Sequence, residues 1–309
     1  MSFLTSIGVV LRMIFKHICR PELQGMQFLS DKFLMLYEKK IDQPTLVLHI
    51  CDVFDQENPI VCTLELPSVA HPFFNIGTTH ARIGCNPSSQ GAISDTPQPF
   101  IPSMAPENKI VLVALSNSTV GGFILITLAS DLLRIAQENH DSKQDSVVRV
   151  SWEDWGHKIT RVIEVDHRTS FMTSVYGAMA LIPGKDCYKL YDFNQKTIRR
   201  DLARSTGDNS LIENISTEPT PIDNGELFKS RVTTNLPYRM TKVAFEGINQ
   251  GRVARLCGDT VAFFPSFVSY EALPYIPHAY TCYRRTNTSM CSRFRQDCRH
   301  CSDLNVVKS

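Results

Sequence analysis

The sequence predicts a mainly antiparallel all-β fold, and three observations support this class. The chain has 309 residues, of which 43% are hydrophobic and 20% are charged, as is typical of a folded globular protein. Short runs rich in β-branched and aromatic residues recur from residue 26 onward, and they give about fourteen candidate strands. Turn-forming stretches such as Asp-Gln-Pro and Gln-Glu-Asn-Pro separate these runs.

The N-terminal segment, residues 1–24, has a different period and predicts an amphipathic helix that ends at Pro21. Apolar residues repeat there at helical spacing, and they are Phe3, Ile7, Val10, Ile14 and Ile18. Its basic, acid-poor composition leaves an organelle-targeting segment open as an alternative. The serine and arginine enrichment of a transit peptide is thin, so we expect a packing helix.

Residues 25–280 are expected to form one β-rich interaction domain. Three stretches, beginning at Asp31, Asn108 and Tyr176, each pair a hydrophobic strand with a second strand after a short polar turn. Repeated meanders of this kind favour a propeller-like fold or an incomplete propeller. A β-sandwich would give similar repeats and remains the alternative.

One short internal helix and two long loops interrupt the strands. Ser130 is placed to cap a helix in which Leu132, Leu133 and Ala136 share one face. The stretch 85–108 is rich in proline and the stretch 201–229 is polar, so we expect both to be mobile surface loops. The run Lys-Thr-Ile-Arg-Arg-Asp before the second loop is interpreted as a strand.

Both tryptophans lie in one segment, Ser-Trp-Glu-Asp-Trp-Gly-His, which predicts a corner of a β-sheet. Trp152 ends a strand-like run, and Trp155 precedes Gly156, whose tolerance of positive φ would provide the bend. On an extended strand, residues three apart face opposite sides, so the two rings would not form one surface. We expect Trp152 to be buried.

An active site is the alternative interpretation of the same segment. Glu153, Asp154 and His157 supply two carboxylates and an imidazole. Adjacent carboxylates point apart, however, whereas acid–base pairs face each other across a substrate. No nucleophile motif such as G-x-S-x-G accompanies them. The segment therefore favours a structural role and predicts no catalytic residue.

Four spaced motifs resemble segments of an F-box protein family of mushroom-forming (agaricomycete) fungi. The matching residues are Trp152, Asp154, Trp155, Gly156, Thr160 and Arg161 in the first motif, Tyr176 and Gly177 in the second, Asp192, Phe193 and Asn194 in the third, and Leu236, Pro237 and Tyr238 in the fourth. The chain resembles the C-terminal, substrate-side region of that family over roughly residues 26–270. His157 and Gln195 stand where the family usually has proline.

The resemblance implies the target-binding part of a ubiquitin-ligase adaptor. The leucine-rich F-box helices are not evident, since residues 1–25 contain no L-P-x-E-L start. Binding to the ligase adaptor is therefore expected only if an F-box is supplied elsewhere. The resemblance implies an unknown protein target, bound through loop surfaces, and no covalent chemistry.

Four cysteines crowd the segment 281–309, at Cys282, Cys291, Cys298 and Cys301. Four thiolates can hold zinc, and the last C-x2-C is a good half-site, but the eight-residue gap after the first cysteine is a poor one. The local arginines would suit phosphate contact. We expect a disordered tail without metal, and a zinc-dependent nucleic-acid contact is the alternative.

The sequence as a whole predicts a non-enzymatic protein-interaction scaffold without a cofactor. A formal net charge of +1 gives no general attraction to nucleic acid or acidic membranes. No apolar run reaches the length of a spanning helix. Because no secretory signal is evident, we expect the six scattered cysteines to be reduced thiols in a cytoplasmic or nuclear protein. The enzymatic alternative is a β-propeller-type enzyme acting on a small molecule or glycan, which a pocket with convergent carboxylates or histidines would favour.

Overall fold

The computed structural model describes thirteen ranges of the chain, and every structural statement below refers to them. These ranges are residues 23–39, 46–55, 57–70, 82–84, 109–117, 121–142, 147–165, 173–184, 187–204, 214–243, 252–257, 260–265 and 281–284. The predicted N-terminal helix and loop 85–108 lie outside the described residues, apart from Leu23 and Gln24 at the start of the first strand.

The described ranges contain nineteen strands and three helices. The strands are β1 (Leu23–Phe28), β2 (Phe33–Lys39), β3 (Leu46–Asp52), β4 (Ile60–Glu65), β5 (Arg82–Gly84), β6 (Ile110–Asn117), β7 (Gly121–Leu128), β8 (Val148–Val150), β9 (Thr160–Val165), β10 (Ser174–Tyr176), β11 (Met179–Pro183), β12 (Tyr188–Asp192), β13 (Ile215–Ser216), β14 (Thr220–Ile222), β15 (Val232–Thr234), β16 (Tyr238–Val243), β17 (Arg252–Cys257), β18 (Thr260–Pro265) and β19 (Thr281–Arg284). The helices are α1 (Ala129–Asp141), α2 (Trp152–Ile159) and α3 (Gln195–Arg204).

The described strands form five sheets, and the chain crosses between some of them. Sheet 1 has the order β1-β2-β3-β4-β8, sheet 2 the order β5-β6-β7-β9, and sheet 3 the order β10-β11-β12-β16-β13. Sheet 4 is the pair β14-β15, and sheet 5 has the order β17-β18-β19. All pairings are antiparallel except that of β4 with β8. The expected mainly antiparallel β-fold is confirmed.

Successive sheets pack face to face. Side chains along a strand point alternately to its two faces, and each face packs against a different neighbouring sheet. In β6, Val111 and Val113 face a core shared with sheet 1 and both α1 and α2. The intervening residue Leu112 faces a second core shared with sheet 3. On the far side of sheet 3, Leu181 packs with Leu256 of sheet 5 in a third core.

No sheet within the described ranges closes on itself. The architecture that the structure supports is therefore a mostly β fold with several antiparallel sheets and three helices. No helix in the described part of the chain is both long and apolar enough to cross a membrane.

The predicted internal helix is present as α1, but its start differs from the expectation. Its buried residues include Leu132, Ile135 and Ala136, at the spacing of a single helical face. The helix begins at Ala129, with Leu128 in the N-cap position and no side-chain hydrogen bond to the first turn. Ser130 is thus the second residue of the helix, and its predicted capping role is wrong.

The predicted strand Lys-Thr-Ile-Arg-Arg-Asp is wrong, because these residues belong to α3. Asn194 accepts a hydrogen bond from the backbone N–H of Thr197 at 3.1 Å through its side-chain oxygen. This contact satisfies one of the free N–H groups of the first turn and so stabilises the helix start. Ile198 is the one buried residue of α3, which explains why the apolar pattern in the sequence was too weak to show a helical period.

Two segments that the sequence assigned to loop or tail are partly regular. Within the predicted loop 201–229, α3 extends to Arg204, β13 pairs with β16, and β14 pairs with β15. Leu227 and Phe228 of the same loop are buried in the core shared with sheet 1. At the other end, Cys282 lies in β19 opposite Ala262 of β18, so residues 281–284 are a strand rather than part of a disordered tail.

Candidate functional site

The residues of the first motif lie where α2 runs directly into β9. The sequence predicted a strand ending at Trp152 and a turn at Gly156, and this prediction is wrong. Residues 152–159 form helix α2 instead. Ser151 occupies the N-cap position, and its hydroxyl donates a hydrogen bond to the carboxylate of Asp154 at 2.7 Å.

The two tryptophans form one buried pair on α2. Residues three apart lie on the same side of a helix, so the rings of Trp152 and Trp155 meet edge to face with centroids 5.5 Å apart. Trp152 is 8% exposed, which confirms its predicted burial. The indole N–H of Trp155 donates to the carbonyl of Glu65 at 2.9 Å, and this bond joins α2 to sheet 1.

Gly156 has a different role from the predicted one. A Cβ atom at this position would lie 2.0 Å from Cε3 of Trp152, so the absence of a side chain makes room for the indole ring. Among the described glycines, positive φ occurs at Gly121 and Gly177 and not at Gly156. The carbonyl of Gly156 accepts a hydrogen bond from the Thr160 hydroxyl at 2.6 Å, where the helix ends.

Arg161 is the centre of the site and is only 1% exposed. Its Nε donates to the carbonyl of Leu236 at 2.9 Å, and its Nη1 donates to the hydroxyl of Thr220. Both terminal nitrogens lie within 3.4–3.5 Å of the carbonyl of Glu218, and the guanidinium carbon lies 4.9 Å from the ring centre of Tyr238. We call this set of contacts the Arg161 junction.

Burial lowers the pKa of the Arg161 guanidinium, and its contact with Tyr238 acts in the opposite direction. An arginine nevertheless keeps its charge at any ordinary pH. The described contacts therefore hold a buried cation with neutral oxygen atoms and an aromatic ring. Through these contacts, the Arg161 junction connects β9 of sheet 2 to Thr220 at the start of β14 and to Leu236 just after β15.

The second motif, Tyr176-Gly177, shapes the tight connection between β10 and β11. Gly177 has φ of 59°, a conformation that glycine adopts at little cost. Its carbonyl accepts a hydrogen bond from the N–H of Ile110 at 3.0 Å and so links sheet 3 to sheet 2. Tyr176 is partly buried against the core between sheets 3 and 5.

The third motif, Asp192-Phe193-Asn194, leads from β12 into α3. Phe193 is fully buried. Asp192 accepts a hydrogen bond from Nη2 of Arg239 at 2.7 Å, and Nη1 of the same arginine donates to Asp201 on α3 at 2.9 Å. Arg239 thus bridges the sheet and the helix through two carboxylates, although its buried Nε has no hydrogen-bond partner among the described residues.

A polar cluster that the sequence analysis missed lies across three strands of sheet 1. His49 of β3 contacts Glu38 of β2 at 2.8 Å through Nε2 and Thr63 of β4 at 2.9 Å through Nδ1. All three residues are buried. The signal in the sequence was one polar residue inside each of three successive apolar strands. The order carboxylate, imidazole and hydroxyl is that of a proton relay, but here the contacts hold three adjacent strands together.

A second missed cluster lies where α1 ends beside sheet 1. The buried carboxylate of Asp52 is 3.2 Å from Nε2 of His140 and 3.4 Å from Nζ of Lys32. The ring of His140 also meets Phe33 edge to face. Because the side chains of Lys32 and His140 are both 39% exposed, this cluster is a surface contact that fixes the helix end.

The remaining candidate residues are the acidic and histidine side chains of α2 and the cysteines. Among the described contacts, none joins His157 to Asp154, and Glu153 is exposed. In the part of the chain that the structure describes, no three His, Cys, Asp or Glu side chains are grouped to hold a metal ion. Of the four tail cysteines, Cys282 lies in β19, and the others, Cys291, Cys298 and Cys301, lie outside the described residues.

The two buried thiols of sheet 1, Cys51 and Cys62, are unreactive at neutral pH. Burial raises the pKa of both Cys51 and Cys62 to about 12, and the proximity of Cys62 adds to the effect at Cys51. At neutral pH both are therefore protonated, and a thiol rather than a thiolate is a poor nucleophile and metal ligand.

No model of a protein family matches the chain, and none of the curated proteins compared with it matches significantly.

Proposed function

We propose that this chain is a non-enzymatic protein-interaction scaffold that resembles the target-binding part of an F-box ubiquitin-ligase adaptor. The observation that carries the proposal is how the motif residues are used. Trp152, Trp155, Gly156 and Arg161 are all turned inward, and their contacts connect sheets 1, 2 and 4. A motif of this kind shapes a framework, whereas a catalytic motif presents its side chains to a substrate.

A framework built in this way leaves recognition to its loops. Connecting segments on a rigid scaffold are where binding residues are most often found. The long connections between the sheets are therefore the surfaces that we propose for target binding. A protein target is favoured over nucleic acid or a membrane, because the formal net charge is only +1. We also propose a cytoplasmic or nuclear location, where thiols such as those of Cys51 and Cys62 stay reduced.

The propeller-like shape is also part of this proposal. In a propeller, each blade is a small antiparallel sheet whose two faces are covered by its neighbours. Sheets 2 and 3 each have a neighbour on both faces, which supports an incomplete propeller. Such an open stack leaves strand edges that pair readily with other chains. We therefore expect self-association of the purified chain, and a monodisperse monomer in light scattering would contradict it.

The first test of the proposal is partner capture from cells. The tagged full-length chain is crosslinked in an agaricomycete host, and captured proteins are quantified by mass spectrometry. Trp152→Ala disrupts the buried pair, whereas Glu153→Gln alters an exposed residue on the same helix and is the matched control. We expect capture of a defined target by the native chain and by Glu153→Gln, and its loss with Trp152→Ala. Loss with Glu153→Gln alone would instead point to chemistry at α2.

The second test concerns the ligase. Because no F-box is recognised in the sequence, the purified chain is expected not to bind the Skp adaptor of cullin–RING ligases. The measurement is a pull-down with purified adaptor, in which an authentic F-box protein is the positive control. Stoichiometric capture of the adaptor by this chain would show that a docking helix is present and that the chain is more than a target-binding half.

A further inference from the structure

We propose that Thr220 is a phosphorylation site and that the buried guanidinium of Arg161 receives the phosphate. Thr220 is followed by Pro221, and a threonine before proline is what proline-directed protein kinases select. The chain contains one other Thr-Pro pair, Thr96-Pro97, and no Ser-Pro pair. This inference is independent of the proposed scaffold function.

The first argument is the charge of the Arg161 junction. Arg161 is almost fully buried, yet all of its described hydrogen bonds are to neutral oxygens of Glu218, Thr220 and Leu236. A buried cation without a counter-charge is unfavourable, and a dianionic phosphate would supply that charge. The hydroxyl of Thr220 already contacts Nη1 of Arg161, so a phosphate at this position is attached beside its receptor.

The second argument is access to Thr220. It is partly exposed, and both Pro219 and Pro221 beside it are exposed. Strand β14 has three residues and, among the described strands, pairs with β15 alone. Pro221 has no N–H to contribute to that pairing. A short strand with few hydrogen bonds opens locally at little cost. The segment can therefore present Thr220 in the extended form that a kinase binds.

The transfer itself is an ordinary phosphoryl transfer from ATP. The Oγ1 atom of Thr220 forms a bond to the γ-phosphorus, the bond to the bridging oxygen breaks, and ADP leaves. The hydroxyl proton passes to the catalytic base of the kinase. In the product, phosphate oxygens take the place of the hydroxyl as acceptors for Nη1, and Nη2 is on the same planar fork for a bidentate contact.

Acidic side chains beside Thr220 limit how much the phosphate can stabilise the folded protein. Glu218, Asp223 and Glu226 lie in the same segment, and all three are exposed. Their repulsion of the phosphate acts through solvent and is screened by salt, whereas the attraction to Arg161 acts across a buried contact. Phosphorylation is therefore expected to hold the β14 segment more firmly onto β9.

The test uses the full-length chain, a purified proline-directed kinase and ATP. Thr96→Ala leaves Thr220 as the one Thr-Pro site, and Thr220→Val is the matched control that keeps the shape of the side chain. We expect one phosphate on the folded Thr96→Ala protein, located at Thr220 by mass spectrometry, and a higher thermal midpoint than before phosphorylation. Phosphorylation of the urea-unfolded chain but not of the folded one would overturn the proposal.

A second measurement separates a bound phosphate from a merely tolerated one. In ³¹P NMR, a phosphate held by a cation keeps its charge to lower pH, so its second pKa should lie roughly one unit below the ordinary value of about 6. The same phosphate in urea should titrate at the ordinary value. Arg161→Lys keeps the charge without the fork, and we expect about half of the shift to remain. Identical titrations in the folded protein and in urea would refute a role for Arg161.

Discussion

Replacing Gly156 with alanine tests how tightly the tryptophan pair is packed. Alanine is the better helix former, by about 1 kcal/mol, so helix propensity alone predicts a more stable protein. The structure predicts the opposite, because the new Cβ atom would lie 2.0 Å from Cε3 of Trp152 and within 2.4 Å of two further ring atoms. Ordinary contact begins near 3.4 Å, so the ring would have to move by about 1.4 Å.

The magnitude follows from what prevents this movement. Trp152 is 8% exposed and lies against Trp155, whose indole is anchored to the carbonyl of Glu65. Overpacking a core of this kind costs about 1–3 kcal/mol, and a clash this close belongs at the upper end. After subtraction of the propensity gain, we expect Gly156→Ala to lower the free energy of unfolding by about 2 kcal/mol.

The assay is urea denaturation of four proteins in a double-mutant cycle: the native chain, Gly156→Ala, Trp152→Ala and the double variant. Trp152→Ala alone should cost about 3–5 kcal/mol, as for other buried large aromatic residues. With the ring removed, the alanine at 156 has no neighbour to displace, and it should then stabilise by up to about 1 kcal/mol. Additive effects, or a Gly156→Ala protein as stable as the native chain, would refute the packing argument.

Three further predictions concern pH, the buried cluster of sheet 1 and the C-terminal strand. Burial, with smaller contributions from neighbouring groups, raises the pKa of Tyr191 from 10.0 to about 12, so the folded state holds this proton more tightly than the unfolded state. The stability that this residue contributes is fully present below pH 10, and roughly 2–3 kcal/mol of the free energy of unfolding is lost as the pH rises toward 12. In Tyr191→Phe, the free energy of unfolding should change less over this pH range. Glu38→Gln removes the carboxylate beside His49 and should lower the free energy of unfolding by about 1.5–3 kcal/mol in urea denaturation. The control Glu65→Gln affects a long, partly exposed ion pair and should lower it by less than about 1 kcal/mol. Equal effects would show that the His49 contact adds no more stability than a surface ion pair. A chain ending at Tyr280 lacks β19 and should melt at a lower temperature than the full chain, because β19 pairs with β18. Coincident melting curves would instead agree with the disordered tail expected from the sequence.

The strand-rich class was predictable from the sequence because the signal is local. Runs such as Leu46–Asp52 and Gly121–Leu128 are continuous in β-branched and apolar residues, and strands buried on both faces produce this pattern. The burial of Trp152 was predictable for a similar reason, since a large ring is rarely left exposed.

The two short helices were not predictable by the same means. In α2, the apolar residues Trp152, Trp155 and Ile159 do have helical spacing, but three residues over two turns are too few to distinguish a helix from a strand end and a turn. In α3, a single buried residue, Ile198, gives no period at all. The role of Gly156 was also hidden, because a glycine that makes room for a ring and a glycine that bends a chain look identical in a sequence.

The Arg161 junction could be located but not understood from the sequence. The first motif includes Arg161, but the partners of Arg161 are mostly the backbone carbonyls of residues 218 and 236. Every residue has a backbone carbonyl, so the sequence cannot indicate which ones accept these hydrogen bonds. Thr220 was placed in a mobile loop, although its side chain meets the arginine across 59 positions of the chain. Contacts of that separation depend on the folded topology.

The chain alternates between sheets 1 and 2, and this order affects how the molecule folds. After β7 the chain leaves sheet 2, passes through α1, and adds β8 to the edge of sheet 1. It then returns through α2 to complete sheet 2 with β9. Neither sheet is therefore encoded by a contiguous stretch of the gene, and a fragment that ends at residue 128 carries both sheets unfinished. On a ribosome, this half of the molecule can reach its native state only after residue 165 has emerged, and we expect the nascent chain up to that point to depend on chaperones.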